Sequence, residues 1–141
     1  MLRTLAAQIE TVQLLAPVVV SASATVSTGV NLTDVGSVMF QIAVGAFSTF
    51  DGSNKLAIVM QHSDTDVDGD YANCADADIL DAEDGANGVL KLLDASGDAG
   101  QVYEGHYLGY KKFARIRLVE TGTVSVPVAV LAVKGHLEAR P

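Results

Sequence analysis

A chain of 141 residues that is 49% hydrophobic and only 18% charged is long enough for one domain with a buried core, and too apolar for a disordered tail. Its net charge of −8 has a local origin: the segment 64–84 holds nine of the seventeen acids and none of the nine bases, leaving eight acids against nine bases elsewhere. A nearly neutral domain with one acidic lobe lacks the basic stripe that nucleic-acid binding needs, and no run approaches the roughly 18 apolar residues of a membrane span.

The first dozen residues differ from the rest. Leu2, Leu5, Ile9 and Val12 recur at spacings of three and four, which predicts a short helix or an arm that orders against a neighbour. Pro17 ends any helix there. The expected organisation is therefore an N-terminal arm over residues 1–16 and a domain over residues 17–141. Arg3 and Glu10 interrupt any apolar core of a secretory signal, so the expected site of synthesis is a reducing cytoplasm.

From Val18 onward the pattern is that of β-structure. VVVSASATVS and GVNL read as short strands around polar turns, and Ser37 to Phe47 as a longer one. Leu56, Ile58 and Met60 alternate against Ala57, Val59 and Gln61. After the acidic segment, Gly88 to Leu93 and Gln101 to Tyr110 are further strand candidates. In KFARIRLVE, Ala114, Ile116 and Leu118 point one way and Phe113, Arg115 and Arg117 the other. The last strand, TVSVPVAVLAVKG, contains Pro127, which cannot donate to a ladder and so predicts an edge or a bulge at that end. About eight short strands punctuated by Gly, Asp, Ser and Asn predict an all-β, single-domain sandwich, either a jelly roll or immunoglobulin-like.

The acidic segment opens as a calcium loop does. With Asp64 at position 1, Asp66, Asp68 and Gly69 fall correctly, but position 12 is Ala75 where the bidentate Glu belongs. The flanks are strands, not helices. The favoured reading is a solvated lobe, with no metal or other cofactor; a looser calcium site on Asp64, Asp66 and Asp68 is the alternative. Ile79 and Leu80 are the apolar residues that can anchor the lobe to the sandwich. Catalytic signals are weak. His62, His106 and His136 fit no metal spacing, no serine sits in a G-x-S-x-G elbow, and neither GSNK nor GYKK is a phosphate loop. Cys74 is the sole cysteine, so neither an intrachain disulfide nor a cysteine-held zinc is possible. The chain reads as a non-enzyme. Lys111, Lys112, Arg115 and Arg117 cluster in YKKFARIR, with both arginines facing away from the expected core. They are ordinary surface charge, or a patch that meets an acidic partner or the acidic lobe of another subunit.

Taken together, TVQLLAPVVVSASAT, GVNLTDVGSVMFQIAVG, LAIVMQHSDTDVDGDY, YEGHYLGYKKFARIRLVETG and VLAVKGHLEARP resemble a family of small structural proteins of tailed bacteriophages that decorate or cement the capsid. The family's Gly-Tyr, basic pair, aromatic and Arg match Gly109, Tyr110, Lys111, Lys112, Phe113 and Arg115, and its closing Gly-His matches Gly135 and His136. The acidic lobe is longer than that pattern. The resemblance implies a virion protein on the capsid exterior, bound to the major capsid protein and to itself as a homotrimer, with no nucleic-acid or membrane partner. The rival readings are a tail-tube, neck or head-completion protein, or a calcium-dependent surface-binding sandwich. The four Tyr, four Phe and absent Trp weigh against a sugar-stacking platform.

Overall fold

The computed structural model of the chain describes residues 9–21, 24–47, 49–80 and 87–137, the last two by backbone alone. Among them are eleven strands: β1 (Glu10–Val20), β2 (Ala24–Val26), β3 (Val30–Asn31), β4 (Val35–Val44), β5 (Lys55–Ser63), β6 (Ala72–Asn73), β7 (Ile79–Leu80), β8 (Val89–Leu93), β9 (Val102–Tyr107), β10 (Phe113–Thr121) and β11 (Val126–Leu137). They form two antiparallel sheets. The first has the order β1-β11-β4-β9-β7. The second has the order β2-β10-β5-β6, with β3 also on β10 and β8 also on β5.

The strands alternate because each has one face in the core. Val38, Phe40, Ile42 and Val44 of β4 and Val126, Val128, Val130 and Ala132 of β11 meet Leu56, Ile58 and Met60 of β5 and Ala114, Ile116 and Leu118 of β10. Burying that many side chains between two sheets is the main stabilising term. The inward trio predicted on β10 is inward, each at 1% exposure or less.

Two of the short pairs are one strand interrupted. β2 and β3 lie end to end along β10, and Ser27 between them keeps the ladder: its N–H donates to Ile116 O and its hydroxyl accepts from Ile116 N. β8 and β6 lie end to end along β5, joined at Met60, whose N–H donates to Gly88 O and whose carbonyl accepts from Cys74 N. Gly88 has φ +80°, and a Cβ there would meet the Met60 carbonyl at 2.7 Å. Counted this way the first strand pairs with the last, the second with the seventh, the third with the sixth and the fourth with the fifth. That nested order, a folded ribbon wrapped into two sheets, is a jelly roll.

Two expectations are corrected. Residues 10–16 belong to the sandwich as part of β1, not to a helix or arm, and Leu14 is in the core. The register of β1 against β11 slips between Gln13 and Leu15 and again between Leu15 and Val18, around Pro17. These bulges break the two-residue alternation beyond Gln13, and of the helical stripe only Val12 lies within β1. Leu2 and Leu5 lie outside the described residues. Pro127 is not on an edge strand either: β11 runs between β1 and β4. The Pro127 carbonyl accepts from Gly45 just beyond the end of the β4 ladder, where no partner N–H is needed. No helix among the described residues is long and apolar enough to cross a membrane.

Candidate functional site

The chain leaves β5 at Ser63 and folds back over the outer face of its own sheet. Four outward-facing residues there, Val59, Gln61, Ser63 and Arg115, are buried at 7% exposure or less. Arg115 holds the cover in place. Its Nε donates to Gln61 Oε1 at 2.9 Å and its Nη1 to Asp68 Oδ1 at 2.6 Å. The Tyr71 ring lies over the guanidinium, 4.0 Å from centroid to Cζ. Gln61 passes the contact on through its amide to Asn73 Oδ1, 2.9 Å away. A planar, always-charged guanidinium suits this role because it can hydrogen-bond in plane and stack out of plane at once.

The carboxylates of the segment have separate partners. Asp64 accepts from Lys111 Nζ at 2.7 Å, Asp66 from the Tyr71 hydroxyl at 2.7 Å, and Asp70 from Thr65 Oγ1 at 2.5 Å. The Lys111 ammonium beside Asp64 holds its carboxyl below the usual range. Burial, then the bond to Asp66, pushes the Tyr71 phenol up. Asp64, Asp66 and Asp68 thus face a lysine, a tyrosine and an arginine instead of one point in space. Among the described residues no group of three or more His, Cys, Asp or Glu is placed to hold a metal ion. The segment is solvated at these exposed carboxylates, and the contacts of Arg115 and Gln61 tie residues 68–73 to their own sheet. Past Cys74, which is 1% exposed, the chain crosses to the first sheet, where the predicted anchor Ile79 is buried and pairs with Tyr107 of β9. Cys74 is a core residue, and burial pushes its thiol up to about 12. Asp81, Glu83 and Asp84 lie outside the described residues.

The same end of the sandwich carries the turn after β9. Tyr107 is buried, and its hydroxyl stands 2.9 Å from His62 Nδ1 and accepts from Lys111 N at 3.1 Å. Burial pushes its phenol up to about 12. A Cβ on Gly109 would run into the Tyr107 ring, so only glycine lets the chain pass this close. The fixed turn then projects Tyr110, which is 100% exposed, with Leu108 at 51% beside it. A groove of about 430 Å³ lies below, lined by Leu32, Val35, Val38, Leu108, Tyr110 and Lys111 among others.

The predicted basic patch is therefore split. Arg115 is buried beneath the segment of its own chain, Lys111 is paired with Asp64, Arg117 is half-buried, and Lys112 is exposed. Of the apolar stripe, Ile9 is 39% exposed just before β1, and Val12 packs against the core. Alternation along β10 identifies Arg115 as outward, but the cover above it is not a pattern in β10. The available signal was Tyr71 within an acid-rich stretch, an aromatic that a solvated loop does not need.

Among the described residues, the outer face of the first sheet has no such cover. Its rows run Thr11–Val133–Met39–His106–Leu80, then Gln13–Leu131–Gln41–Glu104, then Ala129–Ala43–Val102, then Val19–Pro127. Val19, Val102 and Leu80 are 55%, 61% and 45% exposed. Glu104 is the one acid in these rows and His106 the one residue that can carry positive charge.

No protein-family model and no curated protein sequence matches the chain. Among solved structures it is similar to a chain from the disulfide-linked pili of Bacillus endospore appendages, at 10% identity and TM-score 0.45, covering 93% of this chain and 90% of that one. It is also similar to the infectious bursal disease virus Gx strain structure, at 12% identity and TM-score 0.46, and to that virus's VP2 subviral particle, at 12% and 0.43. In both viral cases 95% of this chain is covered and it spans about a third of the other, 33%. At these scores the likenesses carry no argument about role.

Proposed function

We propose that this chain is a structural protein without catalytic activity that binds the outer surface of a bacteriophage head and stabilises the capsid lattice. The observation that carries the reading is the Tyr110 turn. The block GYKKF, which carries the sequence resemblance, is the block that the fold presents at one end of the sandwich. It offers a fully exposed tyrosine and an exposed leucine beside a basic pair, on a turn fixed from below by Tyr107. An exposed tyrosine on a fixed turn is the kind of anchor that protein–protein hot spots use. Of the groups with displaced pKa values, Tyr71, Cys74 and Tyr107 are tied into the clamp, the core and the turn, Asp64 is paired with Lys111, and Asp51 accepts from Ser53 and Asn54 of its own turn. The partner that fits is the major capsid protein.

The test is binding to expanded heads that lack the protein. The purified chain is mixed with them, sedimented and counted per particle, and the heads are then heated. Saturable binding at a count matching lattice symmetry, with more heat survived, is the expected result. Tyr110→Ala lowers the affinity by about thirty-fold, as loss of a ~2 kcal/mol hot spot does. Folded protein that does not bind heads overturns the reading, and binding to tails instead moves it to the tail or neck.

A further inference from the structure

We infer that the bare outer face of the first sheet is the surface through which two copies of this chain pair, face to face. In a chain with 18% charged residues, the four rows of that face hold a single carboxylate and a single imidazole. Depletion of charge with retained apolar surface marks the centre of a protein interface. Leu131, Val133, Met39 and Val102 supply the apolar part. The face crosses five strands about 4.8 Å apart and runs ~27 Å along β11, roughly 500 Å² in projection. Side-chain relief brings that to the scale of the ~800 Å² each partner gives a standard interface.

Two features select a second copy as the occupant. First, the charge distribution fits a like partner. Asp64, Asp66, Asp68 and Asp70 lie over the opposite sheet, so two acidic copies meeting through the first sheet keep these groups apart across both sandwiches. Second, the face is complementary to itself. Glu104 and His106 stand two residues apart on β9 with their side chains on the same side, opposite Gln41 and Met39. A two-fold axis between them, running across the strands, brings Glu104 of one copy to His106 of the other, twice, and sets Leu131 against Val133, Gln41 against Met39, and the Ala129–Ala43 row against Gly135 and Ser37 of the other copy. This pairing is two-fold, in place of the three-fold closure that the sequence resemblance implies, and it stands independently of which particle the protein binds.

The experiment is mass by light scattering on the purified chain across a concentration series, with circular dichroism and thermal unfolding as folding controls. The expected mass is twice 14.7 kDa. Leu131→Lys gives the monomer with unchanged dichroism. His106→Glu sets carboxylate against carboxylate and weakens pairing at least tenfold, and adding Glu104→His in the same chain restores it. A monomer at all concentrations overturns the proposal. So does an oligomer of another size, one that folded Leu131→Lys leaves intact, or a double variant that fails to recover.

Discussion

The two sheets have the same inner faces and opposite outer ones. Both bury Val, Ile and Leu side chains inward at near-zero exposure. Outward, the second sheet carries Arg115 and Gln61 and is covered by its own chain, while the first carries Leu131, Val133, Met39 and Val102 and has no cover among the described residues. The polar face is thus the buried one and the apolar face the exposed one. The reason is the strength of what each can recruit. A guanidinium with several directional contacts can hold a polar loop against a sheet, because unmade hydrogen bonds there would be costly. An apolar face has no such hold on a loop rich in aspartate, and is left for a partner with apolar surface of its own.

The largest expected effect comes from removing the clamp. Arg115→Ala loses the Gln61, Asp68 and Tyr71 contacts together and leaves the Gln61 amide oxygen unpaired beneath the cover, at a cost of about 2–3 kcal/mol in urea unfolding. Limited proteolysis should then cut within residues 64–71 first. If stability changes and the segment stays protected, the cover is held by something other than Arg115. Next is Gly88→Ala at the seam between β6 and β8. Its Cβ meets the Met60 carbonyl and Cys74 nitrogen, backbone atoms that cannot swing away, and φ is positive. About 2 kcal/mol is expected, with native Cys74 becoming accessible to a maleimide reagent that does not label the unaltered fold. Labelling of the unaltered chain at the rate of a free thiol would remove Cys74 from the core.

On the open face the expectation is the reverse. Leu131→Lys should change the unfolding free energy by less than about 1 kcal/mol, since it fills no cavity and breaks no hydrogen bond. A loss as large as that from Arg115→Ala would mean this face is packed within the single chain. The smallest effect belongs to the Lys111–Asp64 pair, which is exposed on both sides and screened by salt. Because the Asp64 carboxyl is held below its ordinary value, its contribution is complete above about pH 4 and is lost as pH falls through the lowered value. The melting temperatures of the unaltered chain and Asp64→Asn should converge as pH falls below about 4. Curves that stay parallel would show that the pair contributes nothing.

What could be read from the sequence follows from range. Ala114, Ile116 and Leu118 announce their face through alternation within one strand, and β4, β5, β8 and β9 are legible for the same reason. The jelly-roll order is not, since it lies in which strand lies beside which, and nothing local to β1 says that β11 is its neighbour. In β1 two bulges flank Leu15 and undo the alternation ahead of Pro17, while the stripe that suggests a helix has only Val12 within the strand. Arg115 was placed on the correct side of β10, yet its burial depends on Gln61, Asp68 and Tyr71, between 44 and 54 positions earlier in the chain. The Tyr110 turn fell within a block already singled out, but that Gly109 is required by the ring of Tyr107 is visible only in three dimensions.

The position of β11 has a consequence for how the chain comes to be folded. It is the last strand to be synthesised of the eleven, and it fills the gap between β1 and β4. Until it arrives those two strands have nothing between them, and each exposes a run of unpaired backbone donors and acceptors. The first sheet therefore closes late, through contacts between segments more than a hundred residues apart, which makes folding slow for a domain of this size. During that interval the open edges of β1 and β4 are available to any other extended segment, including one from a neighbouring nascent chain. Aggregation during production should accordingly be governed by how fast β11 is delivered, more than by the stability of the finished sandwich.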